Sequence, residues 1–308
     1  MLFFSATQDI VIDAYRIESA EVRLQGVMAA AYQYGYRVAV IVATAGALFI
    51  AEATSWSMAY QVMAICMLVG VLTTLLCSEP TTQGMLPEKL TGSWFEKTQQ
   101  WIYVGMVQPF VDFVQRYGRS GFLCLAFIGS FYISDRVLGI MAMPFYEDIG
   151  FTKPQVATIA KFYGLWISIL GAAAGAVAVV KYGLARCVVV ASVLIVSTNL
   201  FFVLIALSGA QLALLTLTIS FDNLALGFGS TVMIAYMSSL VNAKFTATQY
   251  ALFSSINTFF GKLLAGFSGD VQLAVGWMNF FFYAAATGIP AVILSLLVAR
   301  QLSKESQA

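Results

Sequence analysis

The stretch EPTTQGMLPEKLTGSWFEKTQQWIYVGMVQPFVDFVQRYG, residues 79–118, is the longest polar connection in a chain that is otherwise almost continuously apolar. The chain has 308 residues, of which 60% are hydrophobic and 10% are charged. A soluble domain carries about 25% charged residues. The composition therefore predicts an all-α integral membrane protein, and the polar connection divides its membrane spans into two unequal groups.

The lengths of the apolar segments predict the spans. A helix needs roughly 20 apolar residues to cross a bilayer, and eight segments reach that length: about 24–51, 56–78, 119–146, 154–180, 186–208, 210–242, 246–270 and 276–299. The opening segment is a ninth candidate. Its apolar stem covers only residues 1–4, about 6 Å of helix, so we expect it to be too short to cross.

The connection predicts three domains. We expect a partial N-terminal transmembrane bundle over residues 1–78 and a six-helix C-terminal transmembrane bundle over residues 119–308. Residues 79–118 between them begin as a loop and continue as an amphipathic helix bent at Pro109. This helix either lies in the membrane interface or forms a soluble linker.

The positions of lysine and arginine predict the orientation. If the connection is cytoplasmic and the spans alternate, eleven cations lie on the cytoplasmic side and only Lys153 lies opposite. The linker and the C-terminus are therefore expected in the cytoplasm. The formal net charge of +1 does not indicate a nucleic-acid partner.

The residue types exclude several kinds of chemistry. There is no histidine, which excludes His-based metal sites and His-based catalytic triads. The four cysteines are scattered through apolar segments without the spacing of metal ligands. The sequence also lacks a nucleophile motif, so it predicts a secondary transporter and not an enzyme, with neither a metal nor a cofactor.

Ionisable side chains within the spans are candidates for function, because each is costly in lipid unless it is paired or lines a wet cavity. They are Asp9, Asp13, Arg37, Asp135, Arg136, Lys161, Asp222 and Lys262. The four acids are proton-coupling candidates. Asp9 and Asp13 are one helical turn apart and share a face, so one of them would retain a proton if both were desolvated. Pairing of Asp13 with Arg16 is the alternative.

Several side chains are candidates for binding a solute. Permanent cations at Arg37 and Lys262 would suit an anionic or carboxylate-bearing solute in a central cavity. Tyr36 offers a sugar-stacking surface, and Gln8 offers both a donor and acceptors. For Lys161, a binding role and simple extension of the side chain to the membrane surface are equal alternatives.

The arrangement of spans resembles the major facilitator plan, in which two parallel six-helix repeats flank a central cytoplasmic linker. On that plan this chain would correspond to helices four to twelve, with the first three absent. Short internal similarities agree with such a repeat: Ile12-Asp13-Ala14-Tyr15 with Met233-Ile234-Ala235-Tyr236, and Gly35-Tyr36-Arg37 with Phe260-Gly261-Lys262.

The stretch SATQDIVIDAY at residues 5–15 resembles the signature of the AmpG-type muropeptide permeases, S-A-(S/T)-Q-D-I-x-x-D-A-(W/Y). Further similarities follow in the expected order at Gly35-Tyr36-Arg37, Asp135, Lys161 with Gly164, Asp222-Asn223, and Phe245 to Leu252 (FTATQYAL). The resemblance adds Asn223 and Gln249 to the substrate-binding candidates Gln8, Tyr36, Arg37, Lys161 and Lys262. It implies a permease of the bacterial inner membrane that uses protons to import anhydro-muropeptides, the disaccharide-peptide fragments of cell-wall turnover.

Departures from the family pattern leave alternatives open. The first three helices of the family are absent, the family's Glu-Asn is Asp222-Asn223, and Lys262 replaces an arginine. The chain would then be a truncated remnant that does not transport, or a subunit that requires a separate N-terminal fragment. A major facilitator of the related acetyl-CoA transporter type is a further alternative. The expected partners are the solute, protons and the lipid bilayer.

Overall fold

A computed structural model describes residues 2–21, 24–78 and 93–305, and every regular element in these ranges is a helix. The helices are α1 (Leu2–Glu18), α2 (Gln25–Ile41), α3 (Ala47–Ala53), α4 (Trp56–Cys66), α5 (Leu68–Leu76), α6 (Trp94–Ile102), α7 (Gln108–Tyr117), α8 (Arg119–Ser130), α9 (Ile133–Ile149), α10 (Lys153–Val156), α11 (Gly164–Tyr182), α12 (Leu184–Ser208), α13 (Leu212–Leu240), α14 (Thr246–Ala265), α15 (Ser268–Thr287) and α16 (Ile289–Glu305). Three π-helical segments, Val42–Gly46, Tyr103–Val107 and Ala157–Tyr163, join α2 to α3, α6 to α7 and α10 to α11.

Seven helical stretches of the described ranges are long and apolar enough to cross a membrane: Gln25–Ala53, Trp56–Leu76, Arg119–Ile149, Lys153–Tyr182, Leu184–Ser208, Leu212–Leu240 and Ser268–Lys304. The first six agree with predicted spans to within a few residues. The prediction of an all-α membrane protein is therefore confirmed. α1 has 17 residues, about 26 Å at 1.5 Å per residue, and is not among these stretches.

Of the last two predicted spans, residues 276–299 lie within the stretch Ser268–Lys304, whereas residues 246–270, which contain α14, are not among the seven stretches. α15 is broken at one residue. Gly276 has φ 75° and ψ 167°, a conformation that interrupts the helix and that glycine adopts at little cost. The break separates α14 and the first turns of α15 from the rest of α15 and α16. α14 and α16 both pack against α8, while α15 packs against α9.

The packed core lies in the part of the chain that follows the connection. One cluster of buried side chains joins α8, α12, α13, α14 and α16 around Phe127 and Tyr236. A second cluster joins α9, α12, α13 and α15 around Phe145, Phe202 and Phe281. These clusters join the helices of residues 119–305 into one bundle. Three of these helices, α9, α13 and α14, line the cavity described below.

Small residues bring α11 close to its neighbours. A β-carbon at Gly171 or Gly175 would overlap the backbone of α13. A β-carbon at Gly26 of α2 would lie 3.3 Å from Val179 of α11. α2 packs against α11 and α13, and α1 packs against α14. The first part of the chain thus contacts the second through α1 and α2.

The α4 and α5 helices contribute little to the core. They pack chiefly against each other and against α3, and Ala59 is the one buried residue among those described in these two helices. Their outward apolar side chains are the surface that a membrane span presents to lipid.

The helical part of the connection packs against the second part of the chain. α7 begins at Gln108, directly after the π-helical segment Tyr103–Val107, and carries Pro109 in its first turn. The bend at Pro109 stays a prediction. Phe113 of α7 is buried, with its ring centroid 5.2 Å from that of Phe253 in α14. The predicted loop lies mostly in residues 79–92, outside the described residues.

Candidate functional site

The span Arg119–Ile149 is interrupted where it carries its charged residues. α8 ends at Ser130, and Tyr132, with φ −102° and ψ 9°, caps the new helix α9. Asp135 lies in the first turn of α9, where the helix dipole favours a carboxylate. An interrupted span is tolerated in a membrane where it is buried in protein or lines a cavity.

A cavity of about 280 Å³ lies beside this break, between α2 of the first part of the chain and α9, α13 and α14 of the second. Its charged lining residues are Arg37, Asp135 and Arg136. The other lining residues are Gln33, Tyr132, Leu226, Ser230, Met233, Ile234, Met237 and Asn257. Both parts of the chain therefore contribute polar groups to one volume.

Two polar atoms of the cavity residues lack a hydrogen-bond partner among the described residues. They are Nε of Arg37 and Oδ1 of Asn257, and both are buried. An unpaired buried polar group costs about 1–3 kcal/mol. Both atoms have almost no accessible surface, so a solute in the cavity reaches them only if the side chains around them move.

The position of Arg136 is held by its neighbours. Its guanidinium lies 5.7 Å from the centroid of the Tyr132 ring. Its aliphatic stem passes Gly261 of α14, where a β-carbon would lie 2.9 Å from Cγ of Arg136. Cation–π contact and the missing side chain at Gly261 thus keep this second cation at the cavity.

A group of polar side chains, the Arg16 cluster, joins the two parts of the chain at the end of the bundle nearest the connection. Arg16 is 3% exposed, and its Nε lies 3.5 Å from Oδ1 of Asp13. Its Nη1 donates to Gln25, and its Nη2 donates to Ser238 of α13, each at 3.1 Å. The guanidinium also lies 5.2 Å from the centroid of the Tyr250 ring in α14. Asp13 is thus placed against Arg16.

A second group, the Arg116 cluster, ties α7 to the turn between α13 and α14. Arg116 donates to Asp112 at 2.9 Å and to Gln249 at 3.1 Å. Nε2 of Gln249 donates to the Pro109 carbonyl and to Asp112, each at 2.9 Å. The backbone N–H of Asn242 donates to Gln249 at 2.8 Å, and its side-chain amide donates to Asp112 at 2.9 Å. Gln249 is 1% exposed and lies in this cluster, not in the cavity lining.

Five other predicted site residues lie on exposed positions outside the cavity lining. They are Gln8, Asp9, Tyr36, Lys161 and Lys262. Tyr36 is adjacent to the cavity residue Arg37 in sequence but points elsewhere on α2, because neighbouring helical positions are about 100° apart.

Asp222 and Asn223 lie where α13 packs against its neighbours α12 and α11. Asp222 accepts a hydrogen bond from Thr198 of α12 at 3.4 Å. The amide of Asn223 donates to the Ile219 carbonyl at 3.1 Å and lies against Gly164. Neither lines the cavity.

Sequence reasoning did not select four polar cavity residues as site candidates. Gln33, Tyr132, Ser230 and Asn257 line the cavity beside the charged groups. Gln33 precedes Arg37 by one helical turn on the same face, a spacing that could have identified it. The other three lie on separate helices, and only the fold brings them together.

A polar cavity between two groups of membrane spans is the place where secondary transporters bind their solutes. A family profile described as Major Facilitator Superfamily matches residues 1–266. The chain belongs to the Major Facilitator Superfamily. This membership, together with the relatives below, identifies a multi-pass membrane transporter and not an enzyme, as predicted.

The chain is similar to proteins of the AmpG type, which confirms the predicted resemblance. It is 29% identical over 304 residues to a Rickettsia felis protein named "Putative transporter AmpG 4", covering 98% of this chain and 71% of that protein. It is 29% identical over 302 residues to the anhydromuropeptide permease of Escherichia coli (strain K12), covering 97% of this chain and 58% of the permease. An uncharacterized Haemophilus influenzae protein is 31% identical over 308 residues, covering 96% of this chain and 69% of that protein.

Proposed function

We propose that this chain is a proton-coupled transporter that imports anhydro-muropeptides across the bacterial inner membrane by alternating access. The single observation that carries the proposal is the cavity between the two parts of the chain, lined by two cations and one acid. The similarity of the chain to the anhydromuropeptide permease of Escherichia coli supports the choice of substrate.

The cavity chemistry suits a carboxylate-bearing sugar-peptide. Arg37 and Arg136 can each donate two hydrogen bonds to a carboxylate. Tyr132 and Asn257 offer an aromatic surface and an amide for sugar hydroxyls. The unpaired Nε of Arg37 and Oδ1 of Asn257 are buried, so they would gain partners from such a solute if the side chains around them move as it binds.

Asp135 supplies a rationale for proton coupling. With Asp135 ionised, the charged lining of Arg37, Asp135 and Arg136 sums to +1, and with Asp135 protonated it sums to +2. An anionic solute therefore binds more tightly when Asp135 carries a proton, and by linkage the proton binds more tightly when the solute is present. Joint loading and joint release of the two is the requirement for symport.

The proposed orientation places the connection and the C-terminus in the cytoplasm. The described cations of the connection and of that end of the bundle are Arg16, Lys97, Arg116, Arg119, Lys181, Arg186, Lys244, Arg300 and Lys304. Lys153 lies at the opposite end. This asymmetry supports the orientation through the preference of lysine and arginine for cytoplasmic loops.

Uptake of labelled anhydro-muropeptide into cells that lack their own permease tests the proposal. Expression of the full chain should produce uptake that a protonophore abolishes. Arg37→Gln should lower uptake at least tenfold, since a charged hydrogen bond contributes about 1.5–3 kcal/mol. Lys153→Gln, which changes the charge by the same amount outside the cavity, should leave uptake unchanged.

Two results would contradict this function. Wild-type protein that is present in the membrane but gives no uptake would contradict the transport of muropeptides by this chain. Uptake competed by acetyl-CoA and not by unlabelled anhydro-muropeptide would reassign the protein to the acetyl-CoA transporter type.

A further inference from the structure

A groove of about 710 Å³ runs between the first turns of α12 and the last turns of α16, and it shares no lining residue with the cavity. Its cationic lining residues are Arg186, Arg300 and Lys304. The other lining residues are Ala185, Val189, Val190, Leu296, Ala299 and Ser303. None of these described lining residues is acidic.

The three cations of the groove have no ion pair and no hydrogen bond within the described part of the chain. Arg300 and Lys304 are one helical turn apart on α16, and Arg186 lies across the groove on α12. Three like charges in one groove repel each other, so an anion between them would stabilise the arrangement.

The depth of the groove relative to the bilayer suits a lipid. α12 has 25 residues, about 37 Å, and so exceeds the roughly 30 Å hydrocarbon core. Arg186 in its first turn is therefore at the level of the headgroups. Val190 and Leu296 lie about one turn deeper and are 47% and 49% exposed, which provides an apolar surface at the level of the acyl chains.

We propose that this groove binds an anionic glycerophospholipid of the leaflet that faces the connection. Its phosphodiester is held by Arg186, Arg300 and Lys304, and one acyl chain lies along Val190 and Leu296. Basic pockets between transmembrane helices recognise such headgroups. Charge complementarity selects the headgroup, and the apolar floor selects a lipid over a free phosphate.

Native mass spectrometry of the purified full chain, titrated with phosphatidylglycerol, phosphatidylcholine or inorganic phosphate, tests the lipid. Phosphatidylglycerol should bind at least tenfold more tightly than phosphatidylcholine, and equimolar inorganic phosphate should not displace it. Equal binding of the two lipids would overturn the proposal. Displacement by inorganic phosphate would reduce the groove to a simple anion site and would also overturn it.

Substitutions locate the binding. The triple variant Arg186→Gln, Arg300→Gln and Lys304→Gln should lose about fivefold in affinity for phosphatidylglycerol per cation removed. The control triple variant Arg119→Gln, Lys181→Gln and Lys244→Gln removes the same charge at the same end, outside the groove, and should bind as the wild type does. Equal losses in the two triple variants would contradict the assignment.

A second variant keeps all charges and does not depend on the triple variant being folded. Val190→Trp fills the apolar floor and should weaken phosphatidylglycerol binding severalfold, while the salt sensitivity of the remaining binding is retained. Unchanged affinity in this variant would show that no acyl chain lies in the groove.

Discussion

The Arg16 cluster and the Arg116 cluster are built from the same residue types, yet their connections differ. Each contains an arginine, an aspartate one helical turn before it, and a buried glutamine that accepts from the guanidinium. In the Arg16 cluster the arginine also reaches Ser238 in the other part of the chain. In the Arg116 cluster the bonds hold α7 against the turn before α14.

The number and reach of the hydrogen bonds distinguish the two clusters. The side chain of Gln249 forms four hydrogen bonds, and Arg116 also donates to the Leu240 carbonyl at 3.1 Å. Gln25 donates to the carbonyls of Ile17 and Ala20 within its own part of the chain, at 3.0 and 2.8 Å. Between the two parts, the described contacts of Arg16 are its hydrogen bond to Ser238 and its cation–π contact with Tyr250.

Similar chemistry can thus either fix a structure or control a movement. A contact that must open in each transport cycle can contribute only a few kcal/mol, because a larger gap would leave one state unpopulated. The Arg116 cluster is under no such constraint. We therefore expect its loss to lower stability, whereas loss of the Arg16 cluster should shift the balance between conformations.

The largest expected effect is in the Arg116 cluster. Gln249→Ala removes four hydrogen bonds and leaves several buried groups unpaired, so the free energy of unfolding should fall by about 3 kcal/mol. Denaturation of the purified protein in detergent, followed by circular dichroism, measures this change. Gln115→Ala on the exposed face of α7 is the matched control and should change stability little. Equal stability of the two variants would show that the cluster does not hold the linker helix.

The fold was largely predictable because bilayer thickness determines the length of each apolar segment. Six spans therefore agree with the structure to within a few residues. The break at Phe131 and Tyr132 was not predicted, although it directly follows the pair Gly129-Ser130. Glycine–serine pairs are among the usual causes of helix kinks, but the length of an apolar segment, from which the spans were predicted, does not show where a span is interrupted.

The candidate site was predictable only in its charged residues. Arg37 and Asp135 stand out because ionisable groups are rare in membrane spans. Asn257 and Ser238 are neutral polar residues that also occur in ordinary helix packing, so their positions depend on which helices become neighbours. The motif around Gln249 indicated importance, but its position in a linker contact depends on α7, more than a hundred residues earlier.

The second prediction weakens the Arg16 cluster while keeping its charge. Arg16→Lys can still pair with Asp13, but a lysine cannot donate to Gln25 and Ser238 through the fixed fork of a guanidinium. Loss of about 2 kcal/mol should raise the population of molecules open at this end about 30-fold relative to the closed form. Stability should fall less than in Gln249→Ala.

Distances between spin labels measure that population. Labels at Glu21→Cys and Ala243→Cys, in a Cys66→Ser and Cys77→Ser background, place one probe on each side of the contact. Arg119→Lys, an exchange at an exposed position, is the control and should leave the distance distribution unchanged. A distribution that is the same for Arg16→Lys and the wild type would mean that the cluster does not hold this end closed.

The smallest expected effect isolates the hydrogen bond by which Arg16 reaches Ser238 in the other part of the chain. Ser238→Ala should raise the open population about tenfold, because a hydrogen bond from a charged donor contributes about 1.5 kcal/mol at the lower end of its range. Ser239→Ala is a matched control on the same helix, since that hydroxyl donates to the Tyr236 carbonyl of its own helix. If Arg16 acts through Ser238, adding Ser238→Ala to Arg16→Lys should produce little further opening, because the bond is already lost. If the effects of the two substitutions instead add in full, Arg16 acts through its contacts with Asp13 and Tyr250. The difference between the two clusters would then not lie in the hydrogen bond to Ser238.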